Sequence, residues 1–139
     1  MENKLKDKLV IAVRVRGRVN VRESIAETMD RLNLKRVNNC ILLKVNDAYY
    51  GMLKKCENYI TYGEVDENTL AKLFEKYKLN VDPKGVINNK INIKELKDKM
   101  PFRLHPPKHG YRNVKVHYKV GGSVGYMGAD INKLVNRML

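Results

Sequence analysis

LVIAVRVRGRVNVRESIAETMDRLNLKRVNNCILLKV, Leu9 to Val45, reads as strand, helix and strand, and this reading decides the fold. Its opening, Leu9 to Arg16, is five apolar residues followed by alternating basic and apolar ones. Valine-rich content and a period of two predict a strand with Arg14 and Arg16 on one face. Gly17 to Asn20 is a short turn. Val21 to Leu32 is a helix, because Ile25, Met29 and Leu32 fall at i, i+4 and i+7. Ser24 and Glu27 have capping-box spacing, while Arg22 and Glu23 suit a first turn. Val37 to Val45 is a second strand with a buried middle.

The same alternation of periods continues downstream. Asn46-Asp47 reads as a turn. A second helix runs from Ala48 to about Tyr59, with Tyr49, Leu53, Cys56 and Ile60 on one face. Gly51 is odd there, because glycine inside a helix costs about 1 kcal/mol against alanine; it marks a close approach to the backbone. Tyr59 to Val65 is a third strand. Asp66 is a good N-cap for a helix from Glu67 to Tyr77, whose inner face is Leu70, Leu73, Phe74 and Tyr77. Residues 1–79 thus read β-α-β-α-β-α, an α+β chain. Two helices on one face of a small sheet, in a ferredoxin-like split β-α-β core, suit this order.

The second part of the chain differs in character. Residues 80–99 read as a polar linker, with one or two helical turns at Ile93 to Lys99. Residues 100–139 read as a basic extension. Pro101, Pro106 and Pro107 keep its first part from forming a regular helix and favour extended chain. Val114 to Val120 alternates as a strand or ribbon, and Gly121 to Gly128 reads as a flexible loop. Ala129 to Leu139 closes the chain as a helix with Ile131, Leu134, Val135 and Met138 on one side.

Charge narrows the function. The 139 residues hold 28 Lys+Arg against 15 Asp+Glu, a formal net charge of +13. A 43% hydrophobic content excludes a disordered tail. Such an excess in so small a protein points to a polyanionic partner, most simply nucleic acid, and away from a metabolic enzyme working free in solution. Met1 to Lys8 is charged and unlike a signal peptide, and no run approaches the roughly 18 apolar residues of a membrane helix. Cys40 and Cys56 lie in apolar patterns and read as reduced core thiols, so the expected compartment is cytoplasmic.

Two runs are free of acid. Val10 to Arg22 carries Arg14, Arg16, Arg18 and Arg22; Lys99 to Gly128 carries six basic residues, among them Arg103, Lys108, Arg112, Lys115 and Lys119. Arginine gives bidentate bonds to phosphate and stacks on bases. Tyr111, Tyr118, Tyr126, His105, His109 and His117 place flat rings among these cations. A loop of this composition follows an irregular RNA surface. The bland alternative for any one of these side chains is a solvated charged surface.

Other chemistries fit less well. His105 and His109 have the spacing of half a zinc site, but no cysteine knuckle completes it, so no metal is expected. The glycine loop lies too near the C-terminus for a dinucleotide-binding β-α-β unit, and no cofactor is expected. Nothing places a base beside either cysteine. Val15 to Arg22 weakly resembles the phosphate loop of acylphosphatases, with Arg22 binding phosphate and Asn38 positioning water. The glycine that this loop needs after Asn20 is missing. That reading predicts acyl-phosphate hydrolysis lost on Arg22→Ala.

Longer motifs carry a more specific likeness. TMDRLNLKRVNNC (Thr28 to Cys40) and YGMLKKCENYITYGEV (Tyr50 to Val65) are similar to the signature of the ribosomal protein L-thirty family, which includes the eukaryotic protein L-seven. FRLHPPKHGY, GGSVGYMG and INKLVNRML resemble the extension of its archaeal and eukaryotic branch. Without the long basic N-terminal arm of eukaryotic members, the chain looks archaeal. The resemblance covers nearly the whole chain apart from Asn80 to Lys99.

It implies a non-catalytic protein that binds and stabilises large-subunit ribosomal RNA. The core docks on RNA and the extension threads along it, with 5S RNA a second candidate partner and other large-subunit proteins as neighbours. By position, the motif residues are Lys35, Arg36 and Asn38; Gly51, Lys54 and Lys55; and Arg103, His105, Lys108, Gly110, Gly121, Gly122 and Gly125. His109 stands where relatives often have glycine. Leu32, Leu34, Leu53 and Ile60 belong to the same motifs and are assigned to the core. A free RNA chaperone or translational regulator is the competing binding role. Removing Met100 to Leu139 is expected to leave a folded core with weaker RNA binding.

Overall fold

A computed structural model of the chain describes residues 9–17, 21–32, 34–77, 102–104, 107, 113–118 and 121–138. The strands are β1 (Leu9–Arg14), β2 (Asn39–Lys44), β3 (Ile60–Glu64), β4 (Phe102–Arg103), β5 (Asn113–His117) and β6 (Gly122–Tyr126). The helices are α1 (Glu23–Arg31), α2 (Asp47–Lys55), α3 (Glu67–Lys76) and α4 (Ile131–Met138), the last entered through a 3-10 turn at Gly128–Asp130. The strands form one sheet in the order β4-β2-β1-β3-β6-β5.

β1 is antiparallel to both β2 and β3, so those two run parallel on either side of it with α2 as the crossover. This is the expected split β-α-β core. Both faces of the sheet are covered. Val10 and Ala12 point with Ile41, Leu43 and Tyr62 toward α1 and α2, against Met29, Leu53 and Cys56. Ile11 and Val13 point with Cys40 and Leu42 toward α3 and α4, against Leu70, Phe74, Ile131 and Val135. Two buried faces explain why β1 opens as a continuous apolar run instead of alternating. Leu32, Leu34, Leu53 and Ile60 are all buried, as assigned.

The local signals mostly hold. Asp66 caps α3, its carboxylate accepting the Thr69 N–H at 2.7 Å. Asn46 is not a turn residue but the N-cap of α2, its side chain accepting the Tyr49 N–H at 2.8 Å. Starting at Asp47, α2 ends at Lys55 and turns Tyr49 outward; Tyr50, not Tyr49, packs beside Leu53. The capping-box reading of α1 fails, because its N-cap is Arg22 and Ser24 lies inside the helix.

The C-terminal part departs most from expectation. β4 pairs with β2, and β6 runs parallel to β3 within a segment expected to be loop. Phe102, Leu104, Ile131, Leu134, Val135 and Met138 lie in the same buried cluster as Ile11 and Leu42. Residues 102–104 and 121–138 thus complete the sheet and core of residues 9–77 and are not a separate appendage. The reason is the open edge of β3 and the bare apolar face beneath it, both of which need cover. The expected linker, residues 80–99, lies outside the described residues.

Candidate nucleic-acid interface

The strand registers gather the sequence-predicted cations. Val13 pairs with Cys40 and Arg14 with Ile60, so β1 finishes where β2 and β3 begin. Segments 15–17, 34–38 and 56–59 meet at that end of the sheet. β4 enters there as well, with Arg103 opposite Asn39 and the Leu104 N–H donating to the Asn38 carbonyl at 3.1 Å. β6 starts there too, because it runs parallel to β3 with Gly125 opposite Thr61. At the far end, where β2 and β3 finish, stand Lys44, Asp47, Glu64, Asp66 and Glu67. The cationic end carries Glu57 as the acidic residue of its three segments.

Arg16 turns its guanidinium over the Tyr59 ring, 5.0 Å from the centroid, with Nη1 donating to the Asn58 carbonyl at 3.4 Å. The ring holds the cation in place while the residue stays half-exposed. Lys35, Arg36 and Arg103 are exposed at the same end of the sheet. At the end of α2, Lys55 is exposed and Lys54 is half-buried, its ammonium 5.8 Å from the Tyr50 ring. Arg22 is exposed at the start of α1, whose Ile25 carbonyl lies 3.9 Å from Cys56 Sγ. A cation at a helix N-terminus is opposed by the helix dipole unless an anion binds nearby. Arg31, by contrast, is paired with Glu27 at 2.8 Å.

Arg14 does not sit where its expected role requires. It is 1% exposed, with Nη1 donating to the Leu34 carbonyl at 2.7 Å and Nε to the Arg16 carbonyl at 2.9 Å. α1 and α2 cover that face, so no solvent side is left for the second half of the period-two pattern. β1 also stops at Arg14: the N–H groups of Val15 and Arg16 both turn to the Tyr59 carbonyl, at 3.0 and 3.1 Å. Arg14 and Arg16 therefore do not share a face.

Asn38 is part of the scaffold, taking a left-handed φ of 69° and donating its N–H to the Arg14 carbonyl at 2.8 Å. Asparagine tolerates that conformation better than most residues. Gly121 turns the chain into β6 with φ +97°, where a side chain would be strained. Gly122 is buried in β6. His117 reaches the cationic end, with Nε2 2.7 Å from Asn58 Oδ1. Tyr118 is half-buried and donates its hydroxyl to Asp130. Tyr126 lies at the acidic end, where its hydroxyl donates to Glu64 Oε1 at 3.2 Å and its ring packs on Tyr62 at 5.7 Å. Beyond its chain neighbours and its own helix backbone, no described atom lies within 4 Å of where a Gly51 Cβ would be, so this glycine serves no close approach among the described residues.

Arg18, His105, Lys108, His109, Tyr111, Arg112 and Lys119 lie outside the described residues, as does the side chain of Lys115. Asn58 and Tyr59 are functional candidates that sequence reasoning missed, because only sheet pairing brings residue 59 beside residue 16. Both cysteines are free and buried. Burial pushes the Cys56 thiol up to about 11, with Lys55 and Arg14 pulling the other way, and it pushes Cys40 higher still. Neither is a ready nucleophile. No helix among the described residues is long and apolar enough to cross a membrane.

Comparison with known proteins gives the arrangement a context. A family model described as ribosomal protein L30p/L7e matches residues 10–60. The large ribosomal subunit protein uL30 of Methanococcus vannielii is 40% identical, over 91% of this chain and 97% of its own. That of Methanobrevibacter smithii is 37% identical, over 94% of this chain and 100% of its own. That of Thermoplasma acidophilum is 35% identical, over 94% of this chain and 93% of its own.

Proposed function

Because the chain belongs to the ribosomal protein L30p/L7e family, we propose that it is a non-catalytic constituent of the large ribosomal subunit that binds and stabilises large-subunit ribosomal RNA. The observation carrying this reading is the gathering of Arg16, Lys35, Arg36, Arg103 and Lys55 at one end of the sheet. Residues from four separate stretches of sequence converge on one end of the sheet. Cations at that density suit a phosphate backbone, and the Arg16–Tyr59 stack adds a flat group on which a base can rest. The second acid-free run, with Lys108, Arg112, Lys115 and Lys119, extends the contact along the RNA. The protein works in the cytoplasm as part of the ribosome.

Phosphate contacts dominate such an affinity and make it fall steeply with salt. Replacing Arg16, Lys35 and Arg36 together by alanine is expected to weaken binding to protein-free large-subunit RNA about 100-fold near 0.1 M salt. The slope of log affinity against log salt should flatten by about two to three, one counterion for each lost phosphate contact. Filter binding across a salt series measures both quantities. An unchanged slope would place the RNA surface elsewhere. For the wild-type chain, stoichiometric recovery with the large subunit after high-salt sedimentation of a lysate is expected. Recovery as free protein at moderate salt would favour a free RNA chaperone or regulator.

A further inference from the structure

A guanidinium that is itself 1% exposed lies beneath the exposed cations. Arg14 holds the carbonyl of Arg16 through Nε at 2.9 Å and the carbonyl of Leu34 through Nη1 at 2.7 Å. Its own main-chain carbonyl accepts the Asn38 N–H at 2.8 Å. One residue therefore ties the segment carrying Arg16 to the segment carrying Lys35 and Arg36. These segments lie about twenty residues apart in sequence, and their cations become one surface only if the segments keep a fixed spacing.

Burying a charge is costly, and a well-packed apolar residue in its place is often as stable or more so. An apolar residue here would take the donor from two carbonyls but would also remove the buried charge, so its two effects on stability oppose each other. A rigid planar fork is suited to holding two divergent carbonyl oxygens at once, which a single ammonium does poorly. The charge is also permanent and shielded from salt, so it adds a positive potential under a surface meant for phosphates.

We propose that Arg14 is a positioning residue for RNA binding. It touches no RNA, but it sets the spacing of Arg16 against Lys35 and Arg36 from below. The inference rests on the RNA-binding reading of that end of the sheet.

The test compares Arg14→Met and Arg14→Lys with the full wild-type chain, using protein-free archaeal large-subunit RNA as the probe. Arg14→Met keeps much of the volume and removes both hydrogen bonds. It is expected to fold with a melting temperature near that of wild type, yet to bind RNA at least ~10-fold more weakly. Its salt slope should flatten by more than one, although the removed charge contacts no phosphate. Arg14→Lys keeps the charge without the fork and is expected to fall between the two.

A folded Arg14→Met chain with wild-type affinity and slope would overturn the proposal. If Arg14→Met does not fold, Arg14→Lys decides: weakened binding with a flattened slope supports positioning, and wild-type binding overturns it. Failure of both variants to fold would assign Arg14 to stability alone and also overturn it. A wild-type chain that itself fails to bind would strike at the RNA-binding reading instead.

Discussion

A chain ending at Lys99 is expected not to fold cooperatively, although it retains β1, β2, β3 and the first three helices. The sheet face built from Ile11, Val13, Cys40 and Leu42 is closed by α3 on one side. Phe102, Leu104, Ile131, Leu134, Val135 and Met138 close the rest. Each buried aliphatic or aromatic side chain is worth roughly 1.5–3 kcal/mol, so removing six of them forfeits on the order of 10 kcal/mol. That is comparable to the whole stability of a typical domain, about 5–15 kcal/mol. The truncated chain also exposes the β3 edge that β6 covers, a template for association.

Circular dichroism through a thermal ramp checks this, together with binding of a hydrophobic dye. The expected result is residual helix, no sharp transition and strong dye binding. A sharp two-state melt within a few degrees of the full chain would refute it. The outcome also separates two roles of the C-terminal part. Weaker RNA binding by a truncated chain means lost phosphate contacts only if that chain is folded. Residues 100–139 read from sequence as a basic RNA-binding extension ending in a helix; the packing adds residues 102–104 and 121–138 to the sheet and core.

What the sequence revealed follows from what determines each feature. The strand–helix–strand order of residues 9–45 was legible because apolar spacing is set by local geometry. The Asp66 cap was legible because one side chain and one N–H three residues on suffice to make it. β6 was not legible: Gly-Ser-Val-Gly-Tyr has no β-branched alternation, and it is a strand because the β3 edge offers unpaired backbone groups. Arg14 was misplaced for a related reason. Whether the last residue of a strand faces in or out depends on what covers that face, and here Leu34 and Cys56 come from distant sequence. The cations of the candidate interface were identifiable one by one from the acid-free run and the family motifs. Their convergence on one end of the sheet needed the antiparallel register of β1.

Gly63→Ala is expected to be among the most destabilising single methyl additions in the molecule. A Cβ at Gly63 would lie 2.2 Å from the Gly128 carbonyl oxygen and 2.8 Å from Ile131 Cγ2. The crowding is with main chain and with a buried branched residue, so no flexible side-chain tip can swing away. Nor is the 3-10 turn free to retreat. The Met127 N–H donates to the Tyr62 carbonyl at 2.8 Å, while Asn132 bonds the Asp66 N–H and the Glu64 carbonyl, both at 3.0 Å. These bonds strap the start of α4 to β3, and the glycine lets them close.

Forcing a methyl into such a contact costs about 3 kcal/mol or more, a fall in melting temperature of roughly 10 °C for a chain of this size. Gly51→Ala is the matched control. That glycine is exposed in mid-helix, with no described atom beyond its chain neighbours and own helix backbone within 4 Å of a Cβ, so alanine there should raise stability by about 0.5–1 kcal/mol. Thermal melts of the two variants should therefore move in opposite directions. If Gly63→Ala melts within ~2 °C of wild type, the close seating of α4 on β3 is wrong. The argument that the C-terminal helix belongs to the core would then lose its most direct support.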